Sequence, residues 1–390
     1  MEGPRHRTPL GLPGVPAQAV LGFLAQLTQQ VAPVGTVLVV QGASGSLTLA
    51  GMTAAAFAMG AGMGRPVQGR LMDRRGSRPV LLVTALVHVS ALVALVVAAG
   101  DRLWWAVVAL AWVAGAGLPP VSVSMRLEWG RRVPDEGRTA AYSLVYLVQE
   151  LAMLVGPLAF GVVIALTTTS LGLALVAVAA GAGTLGFTRA LRAEARGSER
   201  GRGRVFADRR MPVLLAVVLL LGGTLGALQV GVPALAAARH VPAATGVLVA
   251  ALSVGGIVGA AAYGARSWQS RAGVRLVALM AALGAVLAPL ALVESWPVFW
   301  MVLFGGGLAL NPALTTSSLL VDEFAPGAQA EAFGWISTAI GVGGALGSGV
   351  AGVTGERLGA SAPFLAASGL ALAGAALATV LLRRVTRGLG

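Results

Sequence analysis

The chain contains no cysteine and no lysine. Without cysteine there is no disulfide framework and no thiolate to act as nucleophile or metal ligand. Without lysine there is no Walker phosphate loop and no lysine Schiff base, so an ATP-driven pump would need its motor on another chain. Histidine is scarce: His6, His88 and His240 fall in separate segments without metal-ligand spacing. A metal site is therefore not expected, and with no catalytic cluster visible the chain does not read as an enzyme. Charge is scarce as well, at 11% of 390 residues.

What the chain has is apolar length. With 56% hydrophobic residues it carries too much apolar surface for one soluble core. A bilayer core of about 30 Å is crossed by about 20 helical residues, and a helix satisfies its own backbone groups in lipid. Charged and turn-forming residues divide the sequence into twelve such runs, near 17–41, 46–68, 80–99, 103–127, 139–166, 169–190, 211–236, 243–266, 274–293, 297–321, 331–355 and 361–382. The expected fold class is an all-α membrane protein with twelve transmembrane helices.

A formal net charge of +13 raises the question of nucleic acid, but its distribution argues for a membrane instead. With a cytoplasmic N-terminus, 25 of the 28 arginines fall in cytoplasmic segments, leaving Arg102, Arg239 and Arg357 outside. The positive-inside rule accounts for this bias, places both termini in the cytoplasm and removes the need for a nucleic-acid partner. Arg5 and Arg7 in a proline-rich start resemble a signal peptide, but the following run is long and carries Gln26, Gln29 and Gln30. It reads as a retained first span.

The sequence repeats itself. Gly51, Gly60, Gly64 and Gly69 recur 195 positions later as Gly246, Gly255, Gly259 and Gly264. At an offset of 192, Leu118, Pro120 and Pro134 match Leu310, Pro312 and Pro326, and at 191, Ala141, Gly156 and Gly161 match Ala332, Gly347 and Gly352. The chain thus reads as two parallel six-helix halves, 1–192 and 211–390. An arginine- and glycine-rich cytoplasmic linker, 193–210, joins them.

Between spans 2 and 3 runs Gly69-Arg70-Leu71-Met72-Asp73-Arg74-Arg75-Gly76-Ser77-Arg78. Together with two parallel six-helix halves and a basic central loop, this turn resembles the major facilitator superfamily. It matches that family's loop signature, motif A, at Gly69, Leu71, Asp73, Arg74, Gly76 and Arg78. The resemblance implies a transporter in the cytoplasmic membrane that rocks its halves around a midplane site. It also implies that Asp73 bridges the halves near span 11 when the cytoplasmic side is closed. In the second half Gly264 is kept, but Trp268 stands where Asp73 would repeat, and Arg266, Arg271 and Arg275 keep only the basic character. The halves are not expected to gate identically.

Each residue of the signature has a physical reason. Gly69 lets helices approach closely, and Gly76 permits a turn that a side chain opposes. Asp73 is an anion among arginines, to be paired with Arg126 or Arg131 or with the positive N-terminal end of a helix. The alternative is that the turn only fixes topology and packing. Arg126, late in span 4, is expected to snorkel to the cytoplasmic interface. The mid-helix arginine that drug antiporters of the superfamily carry in span 4 has no match here.

Ionisable groups inside a membrane are costly and so informative. Glu150 lies about eleven residues into span 5, on one stripe with Tyr142, Tyr146, Gln149, Met153 and Pro157. It is the candidate for proton coupling or substrate contact, against a carboxylate held in a fixed network. In span 1, Gln26, Gln29 and Gln30 with Pro33 make a second polar face, suited equally to cargo and to helix–helix hydrogen bonds. Asn311-Pro312 with Thr315 to Ser318 makes a kinked polar wall in span 10, read chiefly as packing, with Asn311 as a cavity candidate. Gly156 and Pro157 follow part of the small-residue pattern that proton antiporters of the family carry in span 5.

The expected function is proton-coupled efflux of a small organic molecule, with amphiphilic or cationic cargo suiting the amides, tyrosines and single carboxylate. A nutrient importer and a non-transporting receptor of the same fold are the alternatives. No cofactor is expected beyond the proton gradient, and no partner beyond substrate and membrane lipid for a monomer.

Overall fold

Long apolar runs ended by glycine, serine and proline form helices, and in a computed structural model every regular element among the described residues is helical. The structure describes residues 9–191, 203–241 and 244–385, with side chains to 382. Arg5, His6, Arg7 and most of the expected 193–210 linker lie outside the described residues. The α-helices are α1 (Val15–Ser44), α2 (Leu47–Arg75), α3 (Ser77–Gly100), α4 (Trp104–Ala116), α5 (Val121–Arg132), α6 (Arg138–Leu166) and α7 (Thr169–Ala190). They continue with α8 (Arg210–Ala238), α9 (Ala244–Ala265), α10 (Ala272–Leu287), α11 (Trp296–Phe324), α12 (Gln329–Leu358) and α13 (Ala362–Val385).

The boundaries follow local chemistry. Gly45, at φ 70°, closes α1, and the Ser46 hydroxyl accepts the Leu49 N–H at 3.2 Å to start α2. Thr168 caps α7 in the same way, accepting the Leu171 N–H at 3.2 Å. Among the described residues, twelve spans are long and apolar enough to cross a membrane. The span expected at 103–127 is two helices, α4 and α5, and runs on to Arg132. Pro119 and Pro120 lack the N–H that a continuous helix needs there, so the chain breaks and restarts.

Contacts divide the chain into two units. The first is Met1–Pro134, Val148–Arg202 and Gly327–Gly334; the second is Asp135–Leu147, Gly203–Pro326 and Trp335–Gly390. Each unit thus takes in the opening turns of one helix from the other half of the sequence, α12 in the first case and α6 in the second. In the first unit α2 packs on α4, α1 on α7, and α3 on both α4 and α7. Val40, Phe57, Leu92, Leu95, Val107 and Leu173 are among the side chains that fill its core. In the second unit α9 packs on α11 and α10 on α13, which also lies against α8.

The glycine repeat has a cause in this packing. A Cβ on Gly60 would lie 2.0 Å from the Trp112 carbonyl oxygen, and one on Gly255 would lie 2.1 Å from that of Phe304. The facing helices reciprocate, with Gly115 at 2.0 Å from the Phe57 oxygen and Gly307 at 2.2 Å from that of Leu252. The pairs α2–α4 and α9–α11 therefore meet backbone to backbone at equivalent residues. Gly51 and Gly246 have nothing within 4 Å, so this contact does not explain their match.

A second backbone contact occurs in the second unit. Gly222 and Gly226 of α8 would place a Cβ 2.4 and 1.9 Å from the carbonyls of Ile340 and Gly344 in α12. Gly343 and Gly347 answer at 2.0 Å from those of Leu219 and Gly223. In the first unit the corresponding contact, α1 with α6, is made by side chains: a Cβ on Gly156 would meet the Gln30 Cβ at an ordinary 3.5 Å.

Candidate functional site

The site is built at the end of α2. Gly76 stops the helix at φ 85° and ψ 165°, a conformation open essentially to glycine alone, and α3 starts at the next residue. Arg74 and Arg78 are exposed, and the Arg78 guanidinium donates to the Leu191 carbonyl at the end of α7. About two turns back, Gly69 would set a Cβ 2.2 Å from the Ala330 carbonyl, so the first turn of α12 lies directly on the α2 backbone. A Cβ on Gly334 would lie 2.4 Å from the Arg65 carbonyl oxygen.

This approach brings the Asp73 carboxylate to the start of α12. One oxygen accepts the Ala330 N–H at 3.0 Å and the other accepts the Glu331 N–H at 2.9 Å. These N–H groups have no partner within their own helix, and the helix dipole favours an anion there. Arg131 adds its charge to the same carboxylate. Beside it, the exposed Arg70 pairs with Glu331 at 3.1 Å. Of the partners open from sequence, the helix N-terminus bonds Asp73 directly.

Arg126 is placed otherwise than expected. It is 5% exposed, donates to the Gln149 amide oxygen at 3.0 Å, and holds its guanidinium 5.4 Å from the centre of the Phe333 ring. The reason is that α5 continues to Arg132, so Arg126 sits more than a turn inside its helix and an acceptor and a ring face lie next to it. Snorkelling is thereby corrected to burial.

The expected stripe on α6 divides. In the second unit its opening turns are bonded to α11: the Tyr142 hydroxyl donates to the Asp322 carboxylate, and the Tyr146 hydroxyl lies 3.0 Å from that of Ser318. Arg138 also reaches Asp322, at 3.6 Å. In the first unit, Gln149 holds Arg126, and the adjoining Glu150 is half-buried. Gly156, next to Pro157, packs on Leu27, Gln30 and Val31 of α1. Gln26 is buried, with its amide N–H groups toward the Gly22 carbonyl at 3.1 Å and the Met125 sulfur at 3.6 Å, while Gln29 and Gln30 are half-buried.

Asn311 is 1% exposed in α11. The hydroxyls that follow it, Thr316, Ser317 and Ser318, donate to carbonyls one turn back in their own helix, between 2.7 and 3.1 Å. In the second turn, Trp268 donates its indole N–H to the Tyr263 carbonyl at 2.9 Å, and Arg266 and Arg275 lie 5.0 and 5.6 Å from its ring. The residue at the position of Asp73 therefore turns back on its own helix, while Gly264 still lies close to Ser143.

Two residues escaped sequence reasoning. Asp322 follows directly on the apolar run expected at 297–321, beside Glu323. Arg65, one of the 25 arginines expected in cytoplasmic segments, is 8% exposed. Among the described residues, no group of three or more histidine, aspartate or glutamate side chains could hold a metal ion.

The fold has solved relatives. The chain is similar to the human organic anion transporter MFSD10 (TETRAN), with a TM-score of 0.74 and 18% identity over 97% of this chain and all (100%) of that one. A bacterial homologue of the iron transporter ferroportin, in an outward-facing state, aligns with a TM-score of 0.72 and 15% identity, covering 96% of this chain and 100% of its own. The fucose:proton symporter FucP of E. coli gives 0.71 and 13%, over 94% and 98%. No curated protein sequence matches. The sequence profile of the Major Facilitator Superfamily matches residues 19–326, well over half of the chain, which therefore belongs to this family of membrane transporters.

Proposed function

We propose that the chain is a secondary active transporter that moves a small organic molecule across the cytoplasmic membrane by alternating access, exporting it in exchange for protons. The observation that carries this reading is the Asp73 carboxylate, bonded through both oxygens to the first N–H groups of α12, which starts more than 250 residues later in the chain. Such a contact can open and close without covalent change, as a two-state gate requires. Gly69 and Gly76 hold the geometry, Arg131 adds charge, and the contact favours the state closed to the cytoplasm.

Glu150 carries the coupling proton in this reading, as a half-buried carboxylate within a membrane span. Gln26, Gln29, Gln30 and Gln149 in the first unit are the candidates for neutral polar contacts to the cargo, and Tyr146 and Asn311 are those of the second. Efflux rather than import is supported by the Gly156-Pro157 pattern of α6. Both termini lie in the cytoplasm, the working unit is a monomer, and the proton gradient takes the place of a cofactor.

The test is flux in proteoliposomes with an imposed proton gradient, over a panel of organic anions, cations and neutral compounds. Protons are expected to move opposite to the cargo, and Glu150→Gln to abolish the response to the gradient. Cargo and protons moving together would make the protein an importer. Ligand binding without flux would make it a receptor.

A further inference from the structure

The turn from α9 to α10 keeps three arginines and no acid. From Arg210 to Val293 the chain has no aspartate or glutamate, so neither helix supplies an anion to Arg266, Arg271 or Arg275. On α11, which packs on both, Asp322 is held by Tyr142 and Arg138, and Glu323 by Arg210 at 2.7 Å. Among the described residues none of the three arginines pairs with a carboxylate.

Their surroundings are aromatic instead. The Arg275 guanidinium lies 5.6 Å from the ring centres of both Tyr263 and Trp268, and that of Arg266 lies 5.0 Å from Trp268, so two cations share one indole. Both rings are fixed: their centres are 4.7 Å apart, the indole N–H donates to the Tyr263 carbonyl, and the Tyr263 hydroxyl lies 2.7 Å from that of Thr316. A ring face attracts a cation but offers no oxygen to its N–H groups. Arg275 is half-buried, and its buried Nε and Nη1 have no hydrogen-bond partner.

The turn joins two membrane spans, which sets it at the depth of lipid headgroups, where tryptophan and tyrosine are favoured. Arg266 and Arg271 are exposed there, and Val274, beside Arg275, adds exposed apolar surface. The planar donor fork of arginine matches phosphate oxygens, and a basic cluster at this depth attracts anionic lipid.

We propose that Arg266, Arg271 and Arg275, arranged around Trp268, bind the phosphate of an anionic lipid. In the first turn a carboxylate, Asp73, stands among the arginines; in the second the lipid supplies the anion. The site is independent of what the protein carries and in which direction.

The experiment follows the thermal stability of the purified full-length protein in a neutral detergent while dioleoylphosphatidylglycerol, dioleoylphosphatidylcholine or inorganic phosphate is added. Saturable stabilisation by phosphatidylglycerol is expected, with little from phosphatidylcholine or free phosphate. Arg275→Gln should raise the half-effect concentration tenfold or more. Arg204→Gln, which removes the same charge from an exposed position elsewhere, should leave it unchanged. Equal response to the two lipids, or unchanged affinity in a monodisperse Arg275→Gln protein, would overturn the proposal. So would an equal shift from Arg204→Gln, which would mean diffuse attraction, or equal stabilisation by free phosphate, which would mean a site for a soluble anion. If Arg275→Gln does not fold, the exposed Arg266→Gln decides by the same shift, and no shift there refutes the site.

Discussion

Asp73→Asn keeps the shape of the contact with α12 and removes its charge. A hydrogen bond to a charged group contributes about 1.5–3 kcal/mol and a neutral one about 0.5–1.5 kcal/mol. The carboxylate accepts two such bonds, at 3.0 and 2.9 Å, whereas the amide can keep one, neutral. Asp73 is half-buried, so solvent screening puts the loss at the lower end, about 2–3 kcal/mol, or about 30- to 150-fold in the gating equilibrium. The absence of cysteine makes the assay direct, since a single introduced thiol is the only one to label. Ala328, 2% exposed just before α12, is the position to use. In reconstituted protein, maleimide should reach Ala328→Cys at least tenfold faster when Asp73→Asn is added. Trp268→Phe, in the second turn, should leave the rate as it was. Equal labelling with and without Asp73→Asn would refute the latch.

Other consequences concern stability. Gly60→Ala forces a Cβ onto the Trp112 carbonyl and should cost about 1–3 kcal/mol or more, whereas Gly51→Ala, with open space around it, should leave the Tm of the purified protein unchanged. Gly76→Ala should cost about 1–3 kcal/mol, because its backbone conformation opposes any side chain; an unchanged Tm would show that the turn can relax. Tyr142→Phe removes a donor from the carboxylate of Asp322, whose side chain is 8% exposed, and should cost about 1–3 kcal/mol. Its effect should be less than additive with Asp322→Asn, and full additivity in Tm would mean that the two groups act independently.

The parts of this fold that depend on composition along the chain were legible in sequence. Twelve apolar runs became twelve spans, and the glycine matches at Gly60 and Gly255 marked helix contacts that recur in both units. At Asp73 the residue types narrowed the partners to arginine or a helix end, and packing of α12 on Gly69 supplied the helix end, with Arg131 adding its charge. Arg65 and Arg126 were misread for one reason: a sequence shows that an arginine is near a charged loop, but only tertiary packing shows how many turns of helix lie beyond it. The Gly117–Pro120 break was visible as residues, yet the structure was needed to show that α5 resumes after it and runs on to Arg132. Asp322 was missed because its value lies in Tyr142 and Arg138, far away in the sequence.

The glycine contact of α8 with α12 has a consequence for how such a protein changes over time. At Gly222, Gly226, Gly343 and Gly347 a single added methyl group has no room, so these helices are poor ground for variation. Where α1 meets α6, side chains rather than carbonyls form the contact, and a substitution can be absorbed by its neighbours. Lineages that acquire a new diet of solutes should therefore record it in α1 and α6, while α8 and α12 stay much as they were.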